Sequence, residues 1–315
     1  MRRDILYVVG LVGPFGSGCS YVAKTIGDVY GYEVLSLSDI LRDEYRLKNP
    51  KKKKFGRKDL QDFGDRIREE KGSDYLAKVV CEKINQNGDK NYVVDSIRNP
   101  EEVKYFRKSF AQFFLVGVFA EPDIRWRRVS EKYNNDRRAF DDDDKRDSND
   151  GFEYGQRVTD SFRMSDIILL NNENIIKGNK NEELFLTKLK RNVDLIEGKE
   201  NFTPTHVETN MAIAYAESMR SSCLKRKVGA VIVDASGAVV SSGYNEVPAA
   251  NNTCKCEYGM CYRDKLKSDY RESLSLTIKK QSERESAYTL FKRNFKILDY
   301  CRALHAEENA ILNVA

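Results

Sequence analysis

Short apolar runs alternate with longer amphipathic stretches over the first two hundred residues of the chain. A run of four to eight apolar residues bounded by glycine or polar side chains is typical of a buried strand, and apolar positions spaced by three and four are typical of a helix. Strands that alternate with helices predict a parallel α/β domain. Helical spacing covers 60–85 and 184–196, and strand-like runs lie at 5–12, 34–37, 92–95, 113–119 and 166–170.

The pattern changes after residue 198, which predicts a second domain. Two apolar runs flank Ala235-Ser236-Gly237 and predict a β-hairpin. We therefore expect an N-terminal domain at 1–198 and a second α/β domain at 199–315. The predicted elements of the second domain are a linker at 198–204, a helix at 207–224, hairpin strands at 228–233 and 239–242, a charged helix-rich insertion at 262–299 and a final helix from His305.

Composition narrows the class of protein without identifying it. A length of 315 residues fits two domains, and 40% hydrophobic residues suffice for two cores. The net charge of +5 is small against 54 basic and 49 acidic side chains, so a nucleic-acid partner is not indicated. No apolar run is long enough to span a membrane, and the cysteine usage fits a reduced compartment, so we expect a cytoplasmic protein. The acidic run 141–144 is expected to be a mobile loop.

A glycine-rich stretch follows the first predicted strand and opens a helix, which is the setting that a phosphate-binding P-loop needs. Its glycines let backbone N–H groups face a phosphate, and the helix N-terminus adds partial positive charge. The usual motif ends in Gly-Lys-Ser/Thr, whereas Cys19 stands at the lysine position here. Ser20 is a candidate ligand of Mg²⁺, and Asp95 ends a strand where a second metal-orienting carboxylate is expected. The predicted nucleotide site comprises Gly13, Gly16, Ser17, Gly18, Cys19, Ser20 and Asp95.

This half resembles P-loop nucleotide and nucleoside kinases from about residue 5 to residue 196. The resemblance rests on the glycine loop, on Val93-Val94-Asp95 and on an arginine-rich segment after Glu121-Pro122. In such kinases these arginines often close a lid over the nucleotide. Three interpretations are open: binding of ATP or another nucleotide without phosphoryl transfer, a structural remnant, or an active kinase in which another lysine such as Lys24 substitutes. The arginines are Arg125, Arg127, Arg128, Arg137 and Arg138.

His305-Ala306-Glu307 is the most informative tripeptide of the second half. A zinc-dependent deaminase needs a neutral imidazole on the metal and a carboxylate that moves a proton between water and the base ring. A His-x-Glu sequence at the start of a helix directs both groups into one pocket. Since three-residue matches are frequent by chance, an ordinary surface or core histidine is the alternative.

Several sequence blocks precede this tripeptide in a fixed order: Ser221-Ser222-Cys223-Leu224, then 227–233, then Gly243-Tyr244-Asn245-Glu246-Val247-Pro248. Together with His305-Ala306-Glu307, this series resembles deoxycytidylate deaminases of the cytidine deaminase superfamily. The resemblance implies that His305 binds the catalytic zinc, that Glu307 is the general acid and base, and that Asn245 anchors the deoxyribose or its phosphate side. It also places Ser222 and Arg226 near the substrate phosphate. Asn245 has a second interpretation as a turn residue before Val247-Pro248.

The cysteines bear on the remaining zinc ligands. Members of this family supply two more ligands from a later Pro-Cys-x-x-Cys motif, so we expect this chain to stop before its catalytic site is complete and to deaminate poorly. Four cysteines form a candidate structural zinc site, because some deoxycytidylate deaminases carry a second zinc near this segment. The alternatives are ordinary thiols, or a makeshift catalytic site in which Cys301 lies one helical turn before His305. The four cysteines are Cys254, Cys256, Cys261 and Cys301.

A P-loop kinase-like half joined to a deoxycytidylate deaminase half is similar to bacterial anti-phage dCTP deaminases. The resemblance implies hydrolytic deamination of dCTP, with dCMP as a second candidate substrate, and depletion of dCTP during infection. It also implies a regulatory P-loop half and a homo-oligomer. The alternatives are a housekeeping dCMP deaminase of pyrimidine nucleotide metabolism, a non-catalytic nucleotide-binding protein with degenerate sites, and a polynucleotide deaminase, which the near-balanced charge disfavours.

Overall fold

The chain forms two structural units, Met1–Asn201 and Phe202–Ala315. The computed structural model describes residues 5–51, 55–87, 90–148, 155–173, 175, 178–248, 251–295 and 300–314. Within these residues, no helix combines the length and the apolar character needed to cross a bilayer.

The N-terminal unit is built on one sheet of five parallel strands. They are β1 (Val8–Val12), β2 (Glu33–Ser36), β3 (Tyr92–Ile97), β4 (Phe113–Phe119) and β5 (Ile167–Leu170), in the spatial order β2-β3-β1-β4-β5. Side chains alternate along β1, so that Val8 and Val12 enter one core and Val9 and Leu11 enter another. Because the central strands are buried on both faces, they read as continuous apolar runs. The predicted parallel α/β fold is confirmed.

Helices connect these strands and cover both faces of the sheet. The helical pattern predicted at 60–85 forms two helices, because Gly72 interrupts it with a φ of +99° that favours glycine. A 3₁₀ turn, Ser130–Tyr133, follows the sixth helix. The described helices are α1 (Cys19–Tyr30), α2 (Leu37–Lys48), α3 (Arg57–Lys71), α4 (Tyr75–Gln86), α5 (Pro100–Ser109), α6 (Pro122–Val129), α7 (Arg137–Ser148), α8 (Val158–Phe162) and α9 (Lys180–Ile196).

The acidic run 141–144 lies within α7, so the prediction of a mobile loop is wrong. Arginines pair with its carboxylates. Arg125 donates to both oxygens of Asp144, at 2.6 and 2.9 Å, and Arg137 pairs with Asp141 at 2.9 Å. Asp147, near the end of the helix, is 1% exposed. These pairs offset the repulsion between neighbouring carboxylates that suggested a loop.

The C-terminal unit contains the predicted hairpin, in which β6 (Gly229–Val233) and β7 (Val239–Tyr244) pair antiparallel. The helix predicted at 207–224 ends earlier, at Ser218. The residues after it form a loop in which the Ser221 hydroxyl donates to the backbone carbonyl of Asn245 at 2.6 Å. The described helices of this unit are α10 (His206–Ser218), α11 (Cys254–Tyr258), α12 (Tyr262–Thr277), α13 (Gln281–Asn294) and α14 (Ala306–Leu312).

Two of these helices lie directly on the backbone of the hairpin. A Cβ atom added at Gly229 would lie 1.8 Å from the carbonyl oxygen of Ala214 in α10, and one added at Gly243 would lie 2.3 Å from the backbone nitrogen of Ala310 in α14. The Ser241 hydroxyl of β7 also donates to the carbonyl of Ala310 at 2.7 Å. Close backbone approach at glycine therefore fixes α14 against β7.

The predicted insertion forms α12 and α13, which pack on each other. The rings of Tyr270 and Phe291 stack with centroids 4.1 Å apart. Residues 296–299 of the insertion lie outside the described residues. The chain returns to the hairpin at Leu304, whose N–H donates to the carbonyl of Glu246 at 3.0 Å. The segment between β7 and α14 thus begins and ends beside the end of β7.

Candidate functional site

His305 and Glu307 lie at the start of α14. His305 is the residue before the helix, and its N–H donates to the carboxylate of Glu308 at 2.7 Å. A carboxylate at the third helical position is a capping arrangement that stabilises a helix start. The Asn309 amide donates to the carbonyl of Tyr244 at 2.8 Å, which ties the same turn to β7. The side chains of His305 and Glu307 are both exposed and open to a ligand.

A cavity of about 550 Å³ lies beside this turn. Its volume is in the range of small-molecule sites. The walls come from the segment after α10, from the residue after β7, from α12 and from the segment before α14. Five predicted site residues line it together: Arg226, Asn245, Cys301, His305 and Glu307.

Asn245 holds one wall of this cavity in place. Its Nδ2 donates to the carbonyl of Arg226 at 2.9 Å, and its Oδ1 accepts from the N–H of Val228 at 2.8 Å. Its backbone N–H also donates to the carbonyl of Val228 at 3.0 Å. The amide oxygen keeps a second lone pair for a ligand. The structure thus supports a wall-forming role for Asn245, and its role as a deoxyribose anchor stays a prediction.

Ser222 lies outside the cavity lining. Its hydroxyl donates to Oε1 of Glu246 at 2.7 Å, and its N–H donates to Oε2 at 2.8 Å. Partial burial opposes ionisation of Glu246, but the hydrogen bonds from Ser222 and Val247 prevail and lower the pKa of this carboxyl. In the structure the Ser222 hydroxyl is therefore engaged in a hydrogen bond to Glu246. Its predicted contact with a substrate phosphate stays a prediction.

The candidate zinc ligands are spread over several segments. Cys254 and Cys256 lie in α11, Cys261 precedes α12 and Cys301 follows the insertion. Among the residues that the structure describes, no three His, Cys, Asp or Glu side chains are grouped so that they could hold one metal ion. Cys301 does not lie one helical turn before His305, because α14 begins only at Ala306. Both residues nevertheless line the same cavity, and they offer the sulfur and nitrogen donors that zinc prefers.

The P-loop of the N-terminal unit lies between β1 and α1. Gly16 and Gly18 have φ angles of +84° and +101°, in the left-handed region that favours glycine. The Asn171 amide donates to the carbonyl of Ser17 at 2.8 Å and supports the loop. A cavity of about 280 Å³ lies over it. All the predicted nucleotide-site residues line that cavity: Gly13, Gly16, Ser17, Gly18, Cys19, Ser20 and Asp95.

Ser20 and Asp95 form a pair at the edge of this cavity. The Ser20 hydroxyl donates to Oδ2 of Asp95 at 2.6 Å. Ser96, next to Asp95, has a φ of +68°, and its N–H donates to Oδ1 of Asp95 at 2.6 Å. Such backbone strain in a non-glycine residue is often found at functional sites. Hydroxyl and carboxylate oxygens are ligands that suit Mg²⁺, and the roles of both residues toward this ion stay predictions.

Cys19 brings no charge to the P-loop. Desolvation by burial, reinforced by the nearby Asp95 carboxylate, raises the pKa of its thiol to about 12. The thiol is therefore neutral at physiological pH, whereas the lysine of the usual motif would be positive. A phosphate in this loop needs its counter-charge from another residue.

The arginine-rich segment supplies only part of that charge. Of its five arginines, only Arg128 lines the P-loop cavity. Arg125 is 4% exposed, and it is bound by Asp144 and by the carbonyl of Phe15 at 3.1 Å. Arg137 pairs with Asp123 at 3.0 Å. The guanidinium groups of Arg125 and Arg137 are therefore engaged by aspartates of the same unit, which a count of arginines along the sequence does not reveal.

Lys132 is a further cation of the P-loop cavity. It lies in the 3₁₀ turn, and its ammonium is 5.6 Å from the centroid of the Phe15 ring at the tip of the loop. Lys24, the alternative considered from the sequence, lines a neighbouring cavity that shares Ser20 and Asp95 with the P-loop cavity. No motif spacing marks Lys132, because its position depends on how the 3₁₀ turn packs over the loop.

A second cavity of about 440 Å³ adjoins the P-loop cavity. Arginines from α2, from α3 and from the residue after β3 line it, and each of them pairs with an aspartate or a glutamate. The guanidinium of Arg57 lies over the Phe15 ring, 3.8 Å from its centroid, and Phe15 lines both cavities. The arginines are Arg42, Arg57, Arg68 and Arg98.

Two family models match the chain. The model described as cytidine and deoxycytidylate deaminase zinc-binding region matches residues 204–315, and the model described as AAA domain matches residues 12–147. The first match contains the cavity with His305 and Glu307. The second contains the P-loop and Asp95.

UPF0200 proteins are similar to this chain in sequence. The UPF0200 protein of Methanothermobacter thermautotrophicus is 29% identical over 188 residues, across 58% of this chain and 91% of that protein. The one from Methanothrix thermoacetophila is 33% identical over 131 residues, across 41% and 68%. The one from Sulfurisphaera tokodaii is 31% identical over 133 residues, across 42% and 70%.

Solved structures with a similar fold include a shikimate kinase from Bacteroides thetaiotaomicron, with 11% identity and a TM-score of 0.39 over 61% of this chain and 98% of that chain. Another is TT1252 from Thermus thermophilus, with 17% identity and a TM-score of 0.40 over 63% of this chain and 100% of that chain.

Proposed function

Because the chain belongs to the UPF0200 family and carries a cytidine and deoxycytidylate deaminase zinc-binding region in its C-terminal unit, we propose that it hydrolytically deaminates a deoxycytidine nucleotide. The observation that carries this proposal is the meeting of His305, Glu307 and Asn245 at one cavity of suitable size for a small molecule. The proposed substrate is dCTP, with dCMP as the other candidate. The products are the corresponding deoxyuridine nucleotide and ammonia.

Zinc is the proposed cofactor of this reaction. His305 supplies an imidazole nitrogen, and Cys301 in the same cavity supplies a sulfur, both of which are donor types that zinc takes. Further ligands are needed to complete a four-coordinate site. When bound, zinc lowers the pKa of water toward neutrality, which makes a nucleophile available at physiological pH.

Glu307 is the proposed proton carrier. As the oxygen of water bonds to C4 of the cytosine ring, the Glu307 carboxylate accepts the released proton and passes it to the ring nitrogen. Glu307 then takes the proton of the new C4 hydroxyl and delivers it to the amino group, so that the bond between C4 and the amino nitrogen breaks, ammonia leaves and a C4 carbonyl remains. The exposed position of Glu307 in the first turn of α14 leaves its carboxylate accessible to the base.

We assign this reaction to antiviral defence, in which loss of dCTP starves phage DNA synthesis, and we assign the P-loop unit a regulatory role. The joining of a P-loop unit to a deaminase unit supports this proposal. So does the neutral thiol at the lysine position of the P-loop, because phosphoryl transfer depends strongly on that lysine. Residues 1–198 are the proposed regulatory domain, and residues 199–315 belong to the proposed deaminase domain.

Product formation tests the proposal directly. Protein expressed from its whole reading frame is incubated with dCTP and dCMP in separate reactions, and the deoxyuridine products are quantified by mass spectrometry. We expect conversion of dCTP, loss of conversion after treatment with a zinc chelator, and recovery when Zn²⁺ is added back. Conversion that persists in protein shown by elemental analysis to lack metal would contradict zinc dependence. A folded, zinc-loaded protein that converts neither nucleotide would contradict the deaminase assignment.

Lys132→Gln is expected to weaken the binding of Mg²⁺·ATP to the P-loop by about tenfold, which corresponds to the loss of one charge-assisted contact to phosphate. Lys108→Gln is the matched control, because it removes the same charge from an exposed position of α5 that lines neither the P-loop cavity nor its neighbours. Titration calorimetry on the two variants and the parent protein measures the effect. Equal affinities for the two variants would show that nucleotide binding does not use Lys132.

A further inference from the structure

The insertion contributes two cations to the deaminase cavity. Arg263 and Lys267 are four residues apart in α12, so their side chains share one face of the helix. Both line the cavity that contains His305 and Glu307. The insertion therefore forms part of the wall of this cavity.

These two cations are not neutralised by the surrounding side chains. The one carboxylate that α12 adds to the lining, Asp264, pairs with Lys225 on another wall. The Lys267 ammonium lies 5.2 Å from the centroid of the Phe295 ring, a contact that orients an amine without cancelling its charge. Over the described ranges, neither Arg263 nor Lys267 has an acidic partner within ion-pair distance.

The lining as a whole carries an excess of positive charge. Its four cations, Lys225, Arg226, Arg263 and Lys267, face two carboxylates, Asp264 and Glu307. Arg263 also lies in the first turn of α12, where the helix dipole is positive. Such a cavity attracts anions, and the attraction grows with each phosphate that a nucleotide carries.

We propose that Arg263 and Lys267 form a subsite for the terminal phosphates of a nucleoside triphosphate, through which the enzyme prefers dCTP to dCMP. This inference rests on the proposed deaminase function and names the substrate class of the same site. Arg226, whose backbone is held by Asn245, is assigned to the phosphate next to the sugar. The planar guanidinium of Arg263 suits two phosphate oxygens at once, and the Lys267 ammonium adds a point charge.

The double variant Arg263→Gln/Lys267→Gln tests the subsite. The matched control, Lys265→Gln/Lys279→Gln, removes the same two charges from the insertion at positions outside the cavity lining. We expect the first variant to lose about 30-fold in kcat/KM for dCTP, chiefly through KM, and to lose clearly less for dCMP. Inorganic tripolyphosphate should inhibit dCMP deamination competitively in the parent and in the control, and about tenfold more weakly in the first variant.

Two results would overturn the subsite: equal losses for dCTP and dCMP, or equal losses in the two double variants. Melting curves by circular dichroism establish that both variants are folded. If the folded, zinc-loaded parent deaminates neither nucleotide, the proposed function fails instead. In that case titration calorimetry compares the affinity for dCTP of the parent and of Arg263→Gln/Lys267→Gln. Unchanged affinity in the variant would refute the subsite, and weaker binding would support it.

Discussion

Glu307→Gln is expected to lower kcat for deamination by about 10²- to 10⁴-fold, the contribution typical of a general acid–base group. Glutamine keeps the size of the side chain but does not accept and return a proton at physiological pH. Because Glu307 is exposed at the start of α14, the melting temperature should not change. The measurement is the rate of deoxyuridine nucleotide formation from dCTP at saturating substrate.

The next residue provides the matched control for this variant. The Glu308 carboxylate accepts the N–H of His305 at 2.7 Å, and glutamine makes the same capping contact. Glu308→Gln should therefore keep most of the activity. Similar losses in the two variants would mean that the rate depends on the geometry of the helix start and not on proton transfer by Glu307.

Asp147→Ala is expected to reduce the free energy of unfolding of the N-terminal unit by about 3 kcal/mol, in the range for breaking a buried ion pair. Asp147 is 1% exposed and connects α7 to two other elements. It accepts from Gln61 at 2.8 Å and from Arg98 at 3.3 Å, and it pairs with Arg57. Alanine would leave two guanidinium groups facing each other without their shared carboxylate.

The tryptophan content of the chain makes this measurement specific to the N-terminal unit. Trp126 is the single tryptophan, and its ring lies 5.6 Å from the Phe140 ring of α7, so its fluorescence in a urea titration reports on this region. Asp142→Ala, at an exposed position of the same helix, is the control and should change stability by less than about 0.5 kcal/mol. If the two variants unfold alike, the Asp147 network does not stabilise the unit.

The parallel sheet, the P-loop and the pair of His305 and Glu307 can be recognised in the sequence. Strand β1 is recognisable because both of its faces are buried, so its apolar run is continuous from Val8 to Val12. The P-loop is recognisable because the left-handed backbone at Gly16 and Gly18 requires glycine at a fixed spacing. The pair His305 and Glu307 is recognisable because both residues lie at one helix start.

Features that depend on the packing of distant segments are not visible in the sequence. The acidic run of α7 predicts a loop, and only the structure shows the arginines that pair with it and allow a helix. Lys132 and Arg263 are ordinary charged residues in charged stretches, and only the folded chain brings them to cavities. The sequence pattern predicts the face of a helix or strand on which a side chain lies, but it does not predict which distant segment packs against that face.

The attachment of α14 to β7 also sets how the length of the intervening segment affects stability. The Ser241 hydroxyl and the Ala310 carbonyl that it binds are separated by 69 residues. Because the entropy of closing a loop grows only with the logarithm of its length, doubling this segment would cost only about 0.6 kcal/mol. A change in the length of the insertion therefore has little effect on the free energy of unfolding. The contacts that hold α14, and with it Glu307, on the hairpin stay the same. The wall that we propose for the substrate phosphates is thus free to diverge in evolution while the proposed catalytic carboxylate keeps its place.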